Sequence, residues 1–185
     1  MSEFNLRKNP LKIIIVGPQK VGKTVIANTI SEFSKTVSPD YHPTVGVRIL
    51  EISKPYTDEQ VANIPVLKKN KINKVRIELW DMSGDRRFES TWPAIKYGAD
   101  GVIIVLDAVN EKYEATIDEW MNNFCTDINP DNIICFSYKK ENSKGLEKKK
   151  QSHQFPNMNI AEVTNSMDSL LPHFNKFITK LLLKL

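Results

Sequence analysis

Apolar and polar positions along the chain follow two periods, one of two residues and one of between three and four. Lys12-Ile13-Ile14-Ile15-Val16 is a short β-branched run that ends at a glycine, the pattern of a strand buried on both faces. Val21, Val25, Ile26, Thr29, Ile30 and Phe33 then recur at helical spacing. Val45 to Ile52 and Lys74 to Trp80 alternate apolar with polar residues and read as two strands of a hairpin. Between them Ser53 to Asn73 is polar, with Pro55, Pro65 and several lysines, and reads as a long and partly mobile loop. Gly101 to Asp107 is a second buried strand, followed by a helix with Tyr113, Ile117, Trp120, Met121 and Phe124 on one face. Asn132 to Tyr138 reads as another strand. Leu170, Leu171, Phe174, Phe177, Ile178, Leu181, Leu182 and Leu185 form the stripe of a terminal amphipathic helix, with Pro172 near enough to its start to be tolerated. That stripe either covers the sheet or holds a partner helix, and the first is its commoner use.

Strands alternating with helices after an opening strand–loop–helix predict an α/β fold. The sheet is mostly parallel and six-stranded, with one antiparallel edge strand and helices on both faces. At 185 residues the chain is long enough for one full domain and short for two. Residues 1–10 read as an N-terminal extension and 11–185 as one domain, with 53–73 a polar hairpin insert and 139–156 a basic loop.

Composition changes this picture little. Hydrophobic residues make up 41% and charged residues 26%, which excludes a disordered chain. A net charge of +4 does not point to nucleic acid, and the run Lys148-Lys149-Lys150 lacks the interleaved aromatics of such a site. Cys125 and Cys135 lie in apolar surroundings without metal-ligand spacing and read as buried thiols. There is no signal peptide, no apolar run of membrane-spanning length, no glycine after Met1 and no cysteine at the C-terminus. No direct membrane anchor is therefore expected.

The chemistry lies at Gly17-Pro18-Gln19-Lys20-Val21-Gly22-Lys23-Thr24, a complete G-x-x-x-x-G-K-[ST] phosphate loop after a buried strand and before a helix. Its backbone N–H groups would cradle phosphates at the positive end of the helix. Gly17, Gln19, Lys20, Val21 and Gly22 would line that cradle, Lys23 would reach the β- and γ-phosphates, and the Thr24 hydroxyl would be a Mg²⁺ ligand. Asp81, at the end of a strand, would orient Mg²⁺, and the N–H of Gly84, three residues on, would sense a γ-phosphate.

With those residues in view, Trp80-Asp81-x-x-Gly84 and His42-Pro43-Thr44-Val45-Gly46-Val47 resemble the third and second signature motifs of Ras-superfamily small GTPases, Rab proteins above all. Pro43-Thr44-x-Gly46-Val47-Arg48-Ile49-Leu50-Glu51 and Phe88-Glu89-Ser90-x-Trp92-Pro93-Ala94 resemble the Rab-like small GTPase subunit of the intraflagellar transport B complex. The resemblance implies a small-GTPase G domain over 11–185 that binds GTP or GDP with Mg²⁺. Thr24, Thr44 and Asp81 would be at the metal, and residues 86–92 would form a second switch. It also implies coiled-coil subunits of that complex as partners, a monomer outside it, no nucleic acid, and residence in the cytoplasm and the cilium or flagellum near the basal body.

The chain departs from the family pattern in three places. Asp85 occupies the position of the usual water-orienting glutamine, and an ionised carboxylate accepts but does not donate. Gln19 stands where many relatives have a small residue. Asp85 and Gln19 are therefore the residues placed to influence hydrolysis, which is expected to be slow. Tyr138-Lys139-Lys140-Glu141 aligns with the base-reading Asn-Lys-x-Asp motif, leaving Lys139 to lie along a purine and Glu141 to accept from it, with Thr164 and Asn165 as the last base-contacting loop. Trp92 is either an aromatic anchor for a partner or a residue buried beneath the second switch. The alternatives to a switch or structural subunit are an efficient vesicle-traffic GTPase and a scaffold that no longer depends on nucleotide.

Overall fold

The computed structural model describes residues 9–32, 42–110, 112–140, 154–155 and 158–185. The elements follow in the order β1 (Leu11–Val16), α1 (Lys23–Ser31), β2 (Val47–Pro55), α2 (Asp58–Asn63), α3 (Pro65–Asn70), β3 (Lys74–Met82) and α4 (Trp92–Lys96). After these come β4 (Gly101–Asp107), α5 (Tyr113–Phe124), β5 (Ile133–Tyr138), β6 (Ile160–Val163) and α6 (Met167–Leu182). Short 3₁₀ turns at Arg86–Thr91 and Pro130–Asn132 precede α4 and β5.

The six strands form one sheet in the order β2-β3-β1-β4-β5-β6. All neighbours are parallel except β2, which runs antiparallel to β3 at the edge. The expected fold class is therefore the observed one, a mostly parallel six-stranded sheet with one antiparallel edge strand. β1 shows why its sequence is apolar at every position. Ile13 and Ile15 face a core closed by α1, α6 and the residues of 56–72, whereas Ile14 and Val16 face a second core closed by α4 and α5. A strand covered on both faces leaves no position where a polar residue would be solvated.

Two expectations need correction. The segment 53–73 is no polar loop. Thr57 caps α2 with a reciprocal box to Gln60, Pro65 opens α3, and Tyr56, Ile64, Val66, Leu67 and Ile72 are buried in the core shared with α6. Lys54 Nζ ties the same region to α6 through Asn175 Oδ1 at 2.7 Å. α6 also begins earlier than the leucine stripe suggests, at a Ser166 cap whose hydroxyl accepts from the Ser169 N–H, so Pro172 falls inside the helix. A proline there denies the Asp168 carbonyl its i+4 donor, and Pro172 and Asp168 are both exposed, so the loss falls on the solvent side of the helix. Strand edges shift by a residue or two, with Val45 outside β2 and Asn132 in the 3₁₀ turn.

α5 buries the five predicted residues, and α6 buries Leu170, Phe174, Phe177, Ile178, Leu181 and Leu182 against its own domain. Trp92 is 5% exposed, with its ring 5.2 Å from Trp120 and 5.0 Å from Phe124. It is a core residue and not an exposed anchor. No helix among the described residues is long and apolar enough to cross a membrane.

Candidate functional site

The site forms at the C-terminal ends of the parallel strands, where an open α/β sheet places its ligand crevice. β1 ends at Val16 and the chain turns through 17–22 into α1, with Lys20 at φ 62° and Gly22 at φ 102°. Alternation into the left-handed region turns successive N–H groups to one side, making an anion nest. Gly22 is required twice over. Its backbone favours glycine, and a Cβ there would lie 2.6 Å from the Tyr138 ring. The ring of Tyr138 at the end of β5 thus props the phosphate loop from below.

Lys23 begins α1, is only 7% exposed, and donates from Nζ to the carbonyls of Gly17 at 2.8 Å and Pro18 at 2.6 Å. Burial lowers its ammonium to about 8, against the pull of Asp81. Thr24 donates to Asp81 Oδ2 at 2.8 Å, and its Oγ1 lies 3.0 Å from Thr44 Oγ1. Asp81 is fully buried, and burial raises its carboxyl above the ordinary range against the opposing influence of Thr24, Arg48, Lys23 and Thr44. Its Oδ1 has no hydrogen-bond partner among the described residues. Three converging oxygens, one on a carboxylate with a spare buried lone pair, fit a hard cation such as Mg²⁺.

The segment that follows β3 sits directly on the loop. A Cβ at Gly84 would lie 2.5 Å from the Gly17 carbonyl oxygen and 2.6 Å from the Gln19 nitrogen. Ser83 N–H bonds the Gly46 carbonyl at 2.7 Å, which links this segment to the one that carries Thr44. Asp85 caps the 3₁₀ turn, and Arg87 clamps its carboxylate through Nε at 2.9 Å and Nη2 at 2.6 Å. That pairing, with Gln19 as a further partner, holds the carboxyl below its usual range. Arg86 and Glu119 pair across to α5.

The residues expected at the base gather at the ends of β5 and β6. Lys139 N–H bonds the Val163 carbonyl at 2.9 Å, and Lys140 Nζ meets Asp107 Oδ2 at 2.7 Å. The Thr164 N–H bonds Ser169 Oγ at 3.1 Å, so this residue also braces the start of α6. Asn165 follows it in the same loop. Glu141 and most of 139–156 lie outside the described residues.

Two residues make contacts at the site that the motifs do not assign. Arg87 neutralises Asp85 from two positions away, and Arg48 reaches Asp81 from β2 at 3.4 Å. Arg48 lies within the 43–51 string, but its place beside Asp81 follows from strand register, since it stands opposite that residue in the β2–β3 ladder.

The family model described as Ras of Complex, Roc, domain of DAPkinase matches residues 12–141. An Intraflagellar transport protein 22 homolog of Xenopus tropicalis is 41% identical over 113 residues, 61% of this chain and 55% of that protein. Intraflagellar transport protein 22 of Chlamydomonas reinhardtii is 32% identical over 120 residues, 64% of this chain and 55% of that protein. The chain thus spans about half the length of the curated relatives it matches. A chain of the T. brucei IFT22/74/81 GTP-bound crystal structure has the same fold, with a TM-score of 0.70 and 21% identity over 95% of this chain and 96% of that one.

Proposed function

The chain belongs to the Ras-like GTPase family of the Ras of Complex, or Roc, domain, and from that premise we propose that it binds GTP and GDP with Mg²⁺ as a Rab-like subunit of the intraflagellar transport B complex. One observation carries the nucleotide reading. Lys23, Thr24, Thr44 and Asp81, drawn from three separate stretches of sequence, converge on one loop of inward-facing amides. Gly17, Gln19, Lys20, Val21 and Gly22 cradle the phosphates, Lys23 neutralises them, and Mg²⁺ supplies further charge neutralisation from Thr24, Thr44 and Asp81. Gly84 and Thr44 sense the γ-phosphate, while Lys139, Thr164 and Asn165 flank the base, with Glu141 as its acceptor.

Hydrolysis is slow on this reading. Asp85 offers no donor to an attacking water, and its oxygens are engaged by Arg87. Gln19, on the phosphate loop, is the remaining carboxamide able both to donate and to accept there. The protein then acts as a switch or structural subunit in cilium assembly, docking on a coiled-coil pair of the complex. Support for that assignment comes from the similarity to Intraflagellar transport protein 22 and from the shared fold with a chain of the IFT22/74/81 complex.

Titration of fluorescently labelled GTP, GDP and ATP into the purified protein tests the nucleotide reading. GTP and GDP bind, and Lys23→Ala lowers their affinity roughly tenfold to hundredfold through loss of charged hydrogen bonds. Absence of binding by all three nucleotides would refute it.

A further inference from the structure

Arg48 stands where the sheet register puts it. β2 and β3 pair antiparallel with Arg48 directly opposite Asp81, and opposed residues in such a ladder share a face with Cβ atoms about 4.5–5.5 Å apart. Asp81 looks into the phosphate-loop site, so Arg48 does as well. Its Nη2 lies 3.4 Å from Asp81 Oδ2 and donates to Asn28 Oδ1 of α1 at 2.6 Å. The same Asp81 oxygen receives the Thr24 hydroxyl. A guanidinium keeps its charge at every accessible pH, and here the Asn28 amide oxygen fixes its position. A permanent cation therefore shares the carboxylate that heads the Mg²⁺-fitting set.

We infer that Arg48 is a resident cation of the nucleotide site that sets how strongly nucleotide binding depends on a divalent ion. The inference rests on the reading of Gly17–Thr24 as a nucleotide site. Two effects follow from one charge. With no divalent ion bound, the Asp81 carboxylate repels a triphosphate, and Arg48 offsets that repulsion. With a divalent ion approaching, Arg48 opposes it, because like charges this close repel, here across a carboxylate that is itself fully buried. If Arg48 were only a clip between β2 and α1, its loss would lower stability and leave the ion dependence alone.

Arg48→Met keeps the apolar stem and removes the charge, whereas Arg48→Lys keeps the charge. Folding of each is checked by circular dichroism, and Arg48→Gln replaces Arg48→Met should the latter fail to fold. Two titrations are then compared with wild type: Mn²⁺ into nucleotide-free protein, followed by electron paramagnetic resonance, and labelled GTP in excess Mg²⁺ and in EDTA. The neutral variant binds Mn²⁺ about tenfold tighter, and its ratio of GTP affinities with and without Mg²⁺ grows about tenfold, as a partly screened charge at this range allows. Arg48→Lys stays within about threefold of wild type on both measures. Intact GTP binding with an unmoved ratio and unmoved Mn²⁺ affinity in the neutral variant overturns this inference alone. A wild-type protein that takes up no GTP in either buffer overturns the nucleotide reading together with it.

Discussion

Burial holds the Lys23 ammonium near 8, even though Asp81 pulls the other way. The folded chain therefore favours the neutral amine relative to the unfolded one, and protein stability from this residue rises with pH between about 8 and 10.5. A phosphate ligand needs the charged form, so its binding runs in the opposite direction. GTP affinity is expected to fall about tenfold per pH unit above about 8, and titrations in matched buffers read this directly. A flat profile in that range would mean that Lys23 does not meet the phosphates. Lys23, Thr24 and Asp81 were legible in the sequence because their chemistry depends on spacing within short motifs. Arg48 and Arg87 were not. Arg48 acquires its role from a strand pairing across 33 positions, from 48 to 81, and Arg87 from a turn that folds its guanidinium back onto Asp85.

At the scale of elements, the strands and the two long helices could be read from periodicity, while the 53–73 insert could not. Its helices are only six residues each, too short for a 3.6-residue period to repeat. The local signals were nonetheless present. Thr57 with Gln60 three positions later is a capping box, and Pro65 is the first residue of α3. Leu67, fully buried, measures what the insert contributes. Leu67→Ala should lower the stability found by urea denaturation by about 2–5 kcal/mol. A loss below about 0.5 kcal/mol would instead place these helices outside the cooperative core.

For the molecule as a whole, both cores share one sheet, and the crevice lies at one end of it, so ligand binding and global stability are linked. GTP at about a hundred times its Kd should stabilise the native state by about 2.7 kcal/mol, which raises the melting temperature of a domain this size by about 5–10 °C. Differential scanning calorimetry checks this, and Lys23→Ala, binding tenfold to hundredfold more weakly, should cut the stabilisation to about 0.4–1.4 kcal/mol at the same GTP concentration. The alternation of strands and helices made the sheet legible in advance. The packing of Tyr138 beneath Gly22 was not, because it joins residues that only the strand order brings together.

The β2–β3 hairpin bears on folding fidelity as well. A slip of one residue in an edge strand turns every side chain to the opposite face, which would carry Arg48 away from Asp81 and set Val47 or Ile49 against the buried carboxylate. A mispaired hairpin would then strand a desolvated anion without its guanidinium, a fault that water cannot repair in a fully buried place. The ion pair thereby proofreads the register. The same contact that prepares the site for its ligand discriminates correctly assembled chains from those whose outermost strand closed one step out of place.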